Sequence, residues 1–262
     1  MAINIYDELA SQAAKLAAIE AVLKQHAETL AKLASPPEPA PKLRVAPVTY
    51  FRKDYMWQAV LDAKPALAMI NPGNGPGPDP DSLYVGLVPK CRAAGIPVFG
   101  YVHTKYGIRP LAEVKADVLN HKQWYGVSGI FVDTTSRLDE HLPYYRELCA
   151  YIRSKGCMVV LNPGTKGLEE HAQMADYVMV TETYWDTYKT QERPAWEAKY
   201  PGKLWHCIHS CPPEHMTEAV KLAKERGAGL VYVTDDLYAT DRNPYNTLPT
   251  YWEALCAEVA RG

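Results

Sequence analysis

Gly129-Ile-Phe-Val-Asp133 is a short apolar run that ends on an acid, and runs of this kind recur along the chain. Each is rich in Val, Ile and Tyr, and a helix-compatible segment follows most of them. The predicted strands are Leu43–Tyr50, Ala66–Asn71, Pro97–His103, Val127–Asp133, Cys157–Asn162, Tyr177–Glu182, Leu204–His209 and Leu230–Asp235. The predicted helices include Asp81–Ala94, Pro110–Lys122, Asp139–Lys155, Pro212–Arg226 and Pro249–Arg261.

The alternation of strands and helices indicates parallel strands joined by right-handed crossovers. Eight such units in roughly 220 residues fit a (β/α)8 barrel of the TIM type, with a doubly wound open sheet as the alternative. Nearly every predicted strand ends on a polar or ionisable residue, namely Tyr50, Asn71, His103, Asp133, Asn162, Glu182, His209 and Asp235. Because a barrel opens the carboxyl ends of all its strands onto one face, we expect these side chains to converge there.

The composition is that of an ordinary globular protein, since 47% of the 262 residues are hydrophobic and 22% are charged. The net charge of −2 gives no basic footprint for nucleic acid or for an anionic membrane. No apolar run approaches the roughly 18 residues of a membrane span. The N-terminus also lacks the basic and apolar regions of a secretory signal. These features predict synthesis in the cytoplasm and neither a nucleic-acid nor a membrane partner.

The first 34 residues form an N-terminal arm with a heptad pattern. Leu9, Leu16, Leu23 and Leu30 repeat every seven residues, and a second row offset by four contains Ile5, Gln12, Ile19, His26 and Leu33. Leu at a with mostly Ile at d predicts a coiled coil of more than two strands, with a trimer favoured. The alternative is an amphipathic helix packed on its own domain. We therefore predict an oligomerisation arm (1–34), a proline-rich linker (35–42) and a barrel (43–262).

Two motifs suggest other chemistries but lack the usual context, and a third motif is missing. Asn71-Pro-Gly-Asn-Gly-Pro-Gly77 is followed by Pro78-Asp79-Pro80, so it does not lead directly into a helix as a dinucleotide loop does. His206-Cys207-Ile208-His209-Ser210-Cys211 lacks the paired ligand spacing of structural zinc. No G-x-S-x-G nucleophile elbow is present. The sequence therefore predicts no metal and no cofactor.

Asp133 and Glu182 are the candidate catalytic pair. Each closes an apolar strand, where a carboxylate is costly unless it is solvated or functional. The strands are the fourth and sixth, so their backbones lie roughly 10 Å apart, and inward-leaning side chains narrow that gap. The distance expected between the two carboxyl groups therefore falls within the range of about 5–9.5 Å that glycosidases use. The alternative is a pair of structural acids that cap loops.

The aromatic residues expected around the strand-end face favour a sugar ligand. They are Tyr50, Tyr101, Tyr106, Trp124, Tyr125, Tyr184, Trp185, Tyr232, Tyr238 and Tyr245, in a chain that has 18 Tyr and 6 Trp but only 3 Phe. Tyr and Trp offer an apolar face with a polar edge, which suits the C–H faces of sugar rings, while sugar hydroxyls need polar partners. The predicted substrate-binding residues are Asn71, Tyr101, His103, Tyr106, Asn162, Trp185, His209, Asp235, Asp236 and Tyr245. A polysaccharide is therefore the expected ligand.

The chain resembles the spherulation-specific family 4 proteins, which include the glycoside hydrolase family 135 enzymes. The resemblance spans about residues 43 to 257. It rests on the segments Ile70–Gly77, Gly100–Gly107, Trp124-Tyr125, Gly129–Asp133, Leu161–Thr165, Ala175–Glu182, Tyr232–Asp236 and Asn243–Trp252. It implies a (β/α)8 barrel, endo-acting hydrolysis of α-1,4-linked galactosamine-containing polysaccharides, and a catalytic role for Asp133 and Glu182.

One position departs from the family pattern. The family usually carries an Asp-Glu pair after the Gly-Ile-Phe strand, and here Thr134 follows Asp133. The family's Glu at this position would be a third carboxylate beside Asp133 and Glu182, and this chain lacks it. Two functions follow as hypotheses: a glycoside hydrolase that cuts an amino-sugar polysaccharide, and a catalytically impaired carbohydrate-binding barrel. The heptad arm joined to a sugar-acting barrel extends the second hypothesis to a phage tail or surface component that is associated with virions.

Overall fold

The computed structural model describes residues 12–24, 26, 42–239 and 243–261. The chain divides into two compact units, Met1–Ala40 and Pro41–Gly262. In the smaller unit residues 12–24 are helical and exposed, and the exposed side chains include Leu16, Ile19 and Leu23 of the heptad rows. The other heptad residues except Gln12 and His26 lie outside the described residues. The coiled coil and the trimer stay predictions.

The larger unit, called the barrel unit below, alternates strands and helices throughout. Its strands are β1 (Arg44–Val45), β2 (Ala68–Ile70), β3 (Val98–His103), β4 (Gly129–Asp133), β5 (Met158–Leu161), β6 (Tyr177–Tyr184), β7 (Leu204–His209) and β8 (Ala228–Val233). Its α-helices are α1 (Asp54–Ala63), α2 (Ser82–Ala93), α3 (Leu111–Asn120), α4 (Leu142–Ser154), α5 (Glu169–Met174), α6 (Trp185–Thr190), α7 (Met216–Glu225) and α8 (Trp252–Ala260).

All neighbouring strands pair in parallel, in the order β1-β8-β7-β6-β5-β4-β3-β2. The two edges of this sheet also meet. The Ala66 amide donates to the Val45 carbonyl at 2.8 Å, and the Thr49 hydroxyl donates to the Met69 carbonyl and accepts from the Met69 amide. The predicted TIM-like α/β architecture with eight parallel strands is confirmed. Because the strands follow one another in sequence order, a doubly wound sheet is excluded.

The interior of the sheet is filled by large side chains that reach across it. Phe131 on β4 and Trp205 on β7 contact each other with ring centroids 5.7 Å apart, although their strands are not neighbours. Gly129 makes room for Phe99, because a Cβ at that glycine would lie 2.2 Å from the Phe99 ring. This packed layer forms the floor beneath the carboxyl ends of the strands. In the part of the chain that the structure describes, no helix has the length and hydropathy of a membrane span.

Candidate active site

A cavity of about 410 Å³ lies at the carboxyl ends of the strands. Its walls combine five asparagines, two carboxylates and four tyrosines over an apolar floor. The lining residues are Val48, Tyr50, Asn71, Asn74, Tyr101, Phe131, Asp133, Asn162, Met179, Glu182, Tyr238, Asn243, Tyr245 and Asn246. Among these described lining residues there is no Lys, Arg or His, and the two carboxylates are the ionisable acids.

Asn162 links the two predicted catalytic acids through a single nitrogen atom. Its Nδ2 donates to Asp133 Oδ1 at 2.8 Å and to Glu182 Oε2 at 2.9 Å. The two acceptor oxygens therefore lie within about 5.7 Å of each other, which is the sum of these distances. The Gly164 amide donates to Asn162 Oδ1 at 2.8 Å, which fixes the orientation of the amide group. The structure thus brings Asp133, Asn162 and Glu182 together, as expected from the strand ends.

An irregularity in β6 turns Glu182 into the cavity. The register between β6 and β7 shifts between Met179 and Thr181. Met179 and Glu182 both line the cavity, although residues three apart on a regular strand point to opposite faces. An extra residue in one strand is a β-bulge, a device that re-aims side chains beside active sites. The bulge at Val180 therefore places both Met179 and Glu182 on the inner face.

Three tyrosines surround the carboxylate pair. Tyr101 donates to Asp133 Oδ2 at 2.6 Å, and Tyr245 donates to Glu182 Oε1 at 2.9 Å. Tyr50 stands between them, with its ring 5.9 Å from each and nearly perpendicular to both. Burial, followed by the charge of Asp133, raises the pKa of the Tyr50 phenol. All three phenols therefore stay neutral donors at ordinary pH.

Glu182 is the acid whose environment favours the protonated form. Burial raises the pKa of Glu182, and the nearby charge of Asp133 raises it further. The hydrogen bonds from Asn162 and Tyr245 oppose this effect. A carboxyl group that shares a buried site with a second carboxylate holds a proton more tightly than one in water. Glu182 thus resembles the proton-donating partner of an acid pair.

Support for Tyr101 comes from a π-helical segment, His121–Tyr125, that follows α3. His121 is buried, and its Nε2 lies 2.7 Å from the Tyr101 carbonyl oxygen. The ring fits because position 100 is glycine: a Cβ on Gly100 would lie 2.4 Å from His121 Cγ. Tyr125 donates to the Pro76 carbonyl at 2.7 Å, which anchors the glycine-rich loop. π-Helical turns are frequent at functional sites.

The structure places the other predicted binding residues at different distances from the cavity. Asn71 lines it and accepts the Gly75 amide at 3.1 Å. His103 lies beside Asp133 in the paired strands but does not line the cavity, and burial lowers its pKa. Tyr106 is 58% exposed on the β3–α3 loop. His209 is buried at the end of β7, against Tyr184.

Three predicted binding residues lie elsewhere, and their contacts give the reason. Trp185 is only 2% exposed and stacks on His215 with centroids 5.5 Å apart, so it packs α6 onto the barrel. Asp235 accepts the Thr250 amide at 3.1 Å and its hydroxyl, and Asp236 accepts the Thr247 hydroxyl. Both acids therefore tie down the segment that leads into α8 rather than face the cavity.

Other cavity residues were not among those expected from the sequence. They are Asn74 in the glycine-rich loop and the pair Asn243 and Asn246 in the loop before α8. A signal exists for all three, because amide side chains within glycine- or proline-rich loops after strands lie at the barrel's open face. Tyr238 was expected among the aromatic residues of this face, and it lines the cavity. Tyr50 was recognised as a strand end and an aromatic, and the structure adds its place between Tyr101 and Tyr245.

Thr134, the departure from the family pattern, is turned into a neighbouring loop. Its hydroxyl oxygen accepts the amides of Thr104 and Lys105 at 3.1 and 2.9 Å, and its carbonyl accepts the Tyr106 amide at 2.7 Å. Thr134, Lys105 and Tyr106 have φ values of 50°, 48° and 58°, a left-handed conformation that is costly for side chains other than glycine. Such strain concentrates at functional sites.

The described residues contain no cluster of three or more His, Cys, Asp or Glu that fits a metal ion. The cysteines are free, and five of the six are buried. One of them, Cys207, donates to the Tyr245 hydroxyl from 3.4 Å. The chemistry available at the cavity is therefore that of two acids with neutral amide and phenol donors.

Residues 49–259 match the family model of spherulation-specific family 4. The chain belongs to this family. It is 32% identical over 212 residues to Spherulin-4 of Physarum polycephalum. That match covers 74% of this chain and 63% of the Physarum protein, so the chain spans less than two thirds of its curated relative.

Solved structures extend the likeness. The crystal structure of Aspergillus clavatus Sph3 in complex with GalNAc is similar with a TM-score of 0.73 and 26% identity, over 84% of this chain and 98% of that one. A chitinase from Chromobacterium violaceum is similar in fold alone, with a TM-score of 0.57 and 10% identity over 85% of this chain and 100% of that one. The family resemblance expected from the motifs is confirmed, and the fold is one that carbohydrate-active enzymes use.

Proposed function

We propose that this chain is a glycoside hydrolase that cleaves an amino-sugar polysaccharide of the galactosamine type within an open cleft. The observation that carries the proposal is the amide of Asn162, which donates to both Asp133 and Glu182 in the wall of the cavity. The bound GalNAc of the Sph3 relative supports an amino-sugar ligand. The amide side chains that line the cavity suit the hydroxyl and acetamido groups of a neutral sugar.

Glu182 acts as the general acid in this proposal. Burial and the charge of Asp133 raise its pKa, so it keeps a proton that it can donate to the leaving glycosidic oxygen. Asp133 is held by donors on both oxygens, from Tyr101 and from Asn162. It stabilises or attacks the anomeric carbon as positive charge develops there.

The spacing of the acids favours retention of the anomeric configuration. Retaining glycosidases hold their carboxyl groups roughly 5–5.5 Å apart, and inverting ones leave roughly 6.5–9.5 Å for a water molecule. The facing oxygens of Asp133 and Glu182 lie within about 5.7 Å, the sum of their distances to Asn162 Nδ2. This upper bound lies below the roughly 6.5 Å at which the range of inverting enzymes begins.

A reducing-end assay on galactosamine-containing polysaccharides tests the proposal. We expect Asp133→Asn and Glu182→Gln each to lower the rate by about 10²–10⁴-fold, the usual contribution of a positioned acid or base. Asp62→Asn on α1 and Glu225→Gln on α7 are matched controls, because both acids lie on outer helices. If a glycan is cleaved and both cavity variants keep the parent rate, the assignment is wrong.

A binding-only barrel is the second candidate, and Thr134 is the observation that favours it. Its hydroxyl accepts the amides of Thr104 and Lys105, and no third carboxylate is found among the lining residues that the structure describes. Glycan binding without new reducing ends would support this candidate. A gain of cleavage in Thr134→Glu would identify the missing carboxylate as the reason.

The N-terminal arm is proposed to join copies of the chain. Leu16, Ile19 and Leu23 belong to the heptad rows and are between 56% and 61% exposed on a helix, and such a stripe is stabilised by burial against further helices. Light scattering of the full chain tests this. We expect a trimer that dissociates in the variant Leu16→Lys/Leu23→Lys, and an unchanged mass in that variant would refute the role of the heptads.

A further inference from the structure

A cluster of aromatic rings stands on the rim of the cavity, at the ends of β6 and β7 and in the loop after β8. Tyr184 and His209 are paired in register, with ring centroids 4.3 Å apart. The His209 ring is 6.0 Å from that of Tyr238. Tyr184 and Tyr238 are 45% and 60% exposed, whereas His209 is 5% exposed. The two tyrosines thus present ring surface to solvent over a buried histidine.

This cluster is continuous with the carboxylate pair. Tyr238 itself lines the cavity. Tyr184 lies two residues beyond Glu182 in β6, so both side chains point to the same face of the strand. Burial lowers the pKa of His209 to about 4, and the cluster therefore carries no charge at neutral pH. An uncharged aromatic surface beside a polar cavity fits the apolar C–H face of a pyranose ring.

We propose that Tyr184, Tyr238 and His209 form a stacking platform for one pyranose ring of a glycan chain whose neighbouring unit occupies the cavity. This inference rests on the proposed function and adds a subsite to it. Aromatic faces bind apolar surfaces through area removed from water. The buried histidine holds the ring of Tyr184 in an edge-to-face contact. The Tyr184 side chain therefore loses less conformational entropy when a sugar binds.

The position of the platform also indicates how the glycan crosses the site. In the order of the strands, β7 and β3 are separated by four steps in either direction around the sheet. The exposed Tyr106 stands on the loop that follows β3, on the side opposite the platform. A chain that extends from the platform towards Tyr106 passes over the carboxylate pair, so cleavage falls within the chain rather than at its end.

Calorimetric titration tests the platform without relying on turnover. The reference protein is Glu182→Gln, and the probes are GalNAc and an α-1,4-linked N-acetylgalactosamine oligomer of at least four units. We expect Tyr184→Ala and Tyr238→Ala to weaken oligomer binding about tenfold each, as for the loss of one stacked apolar face. Tyr184 is not among the residues that line the cavity, so Tyr184→Ala is expected to leave GalNAc binding unchanged, whereas Tyr238→Ala alters a cavity residue and is compared on the oligomer alone. Tyr184→Phe keeps the ring and is expected to bind as the reference does.

The control is Tyr55→Ala, which removes a 65% exposed tyrosine on α1 and is expected to change neither affinity. If the reference binds the oligomer and the two platform variants bind it equally well, the platform is refuted and the proposed function stands. If GalNAc and oligomer affinities fall together in Tyr184→Ala, Tyr184 shapes the cavity and the platform is refuted as well. A reference that binds neither probe overturns both the platform and the proposed substrate.

Discussion

Replacing Tyr245 with Phe tests the electrostatics of the site by removing one oxygen atom. The Tyr245 hydroxyl donates to Glu182 Oε1 at 2.9 Å and accepts from the Cys207 thiol at 3.4 Å. Its ring is 4% exposed and packs against Tyr50 at 5.9 Å, contacts that Phe preserves. Tyr245→Phe therefore removes one donor from Glu182 while the shape of the cavity stays the same.

The magnitude follows from the charge of the acceptor. A hydrogen bond to a charged group contributes about 1.5–3 kcal/mol. When the ionised form of Glu182 loses this stabilisation, the ratio of protonated to ionised Glu182 at a given pH rises by about 10- to 150-fold. The hydroxyl of Tyr245 lowers the pKa of Glu182 against the larger effect of burial. The variant therefore has a Glu182 pKa higher than the parent value.

The pH dependence of kcat/KM distinguishes the two roles that Glu182 can have. A general acid must be protonated, so it controls the alkaline limb of the profile, whereas a nucleophile must be ionised and controls the acidic limb. We expect the alkaline limb of Tyr245→Phe to move to higher pH and the acidic limb to stay. A shift of the acidic limb alone would assign the acid role to Asp133 instead.

Stability supplies a second readout with a defined sign. Because the folded state raises the pKa of Glu182, it binds this proton more tightly than the unfolded chain does, and stability falls as the pH rises through the raised pKa. Tyr245→Phe enlarges that loss, so the deficit in the free energy of unfolding should be greater at pH 7 than at pH 4. The control is Tyr251→Phe, whose hydroxyl donates to the Cys211 carbonyl at 2.9 Å. A profile of Tyr245→Phe that coincides with this control would refute the reasoning.

Three further outcomes are expected. Gly100→Ala should lower the free energy of unfolding in urea by about 1–3 kcal/mol, because its Cβ would lie 2.4 Å from His121 Cγ; a neutral change would refute this packing. Arg193→Met should cost about 3–5 kcal/mol by leaving the buried Glu197 without its ion-pair partner, and Arg193→Met/Glu197→Leu should recover part of that loss in the same assay. Proton NMR of the first cleavage products should show the anomeric configuration of the substrate, and an inverted product would contradict the spacing argument.

Much of the site was readable from the sequence because strand ends carry positional information. Asp133, Asn162 and Glu182 were each expected at the carboxyl end of a strand, and parallel strands in a barrel bring such ends to one face. Tyr101 and Tyr245 were expected among the sugar-binding residues, and both line the cavity. The sequence pattern could not predict which atoms form hydrogen bonds, such as the single nitrogen of Asn162 that donates to both acids.

Some predicted binding residues do not line the described cavity, and this also has a physical cause. A strand end or an aromatic residue near it was taken to face the cavity, but Trp185 turns under α6 to stack on His215, and Asp235 bonds to Thr250. Both choices depend on partners far away in sequence or in the following loop. Periodicity along the chain carries no information about such partners. The directions of these side chains are therefore set only when the folded barrel brings the partners together.

By itself the sequence determined the eight parallel strands, the family and the residues that supply the acids, because these follow from local apolar runs and from motifs along the chain. The tertiary structure alone showed how Glu182 and Met179 both come to face the cavity: the bulge at Val180 adds a residue to β6, so two side chains three positions apart point to the same face. It also decided that Thr134 holds the loop at Lys105 instead of reaching the cavity. In both cases the direction of a side chain is set by pairing with a neighbouring strand or loop, which the linear order of residues does not contain.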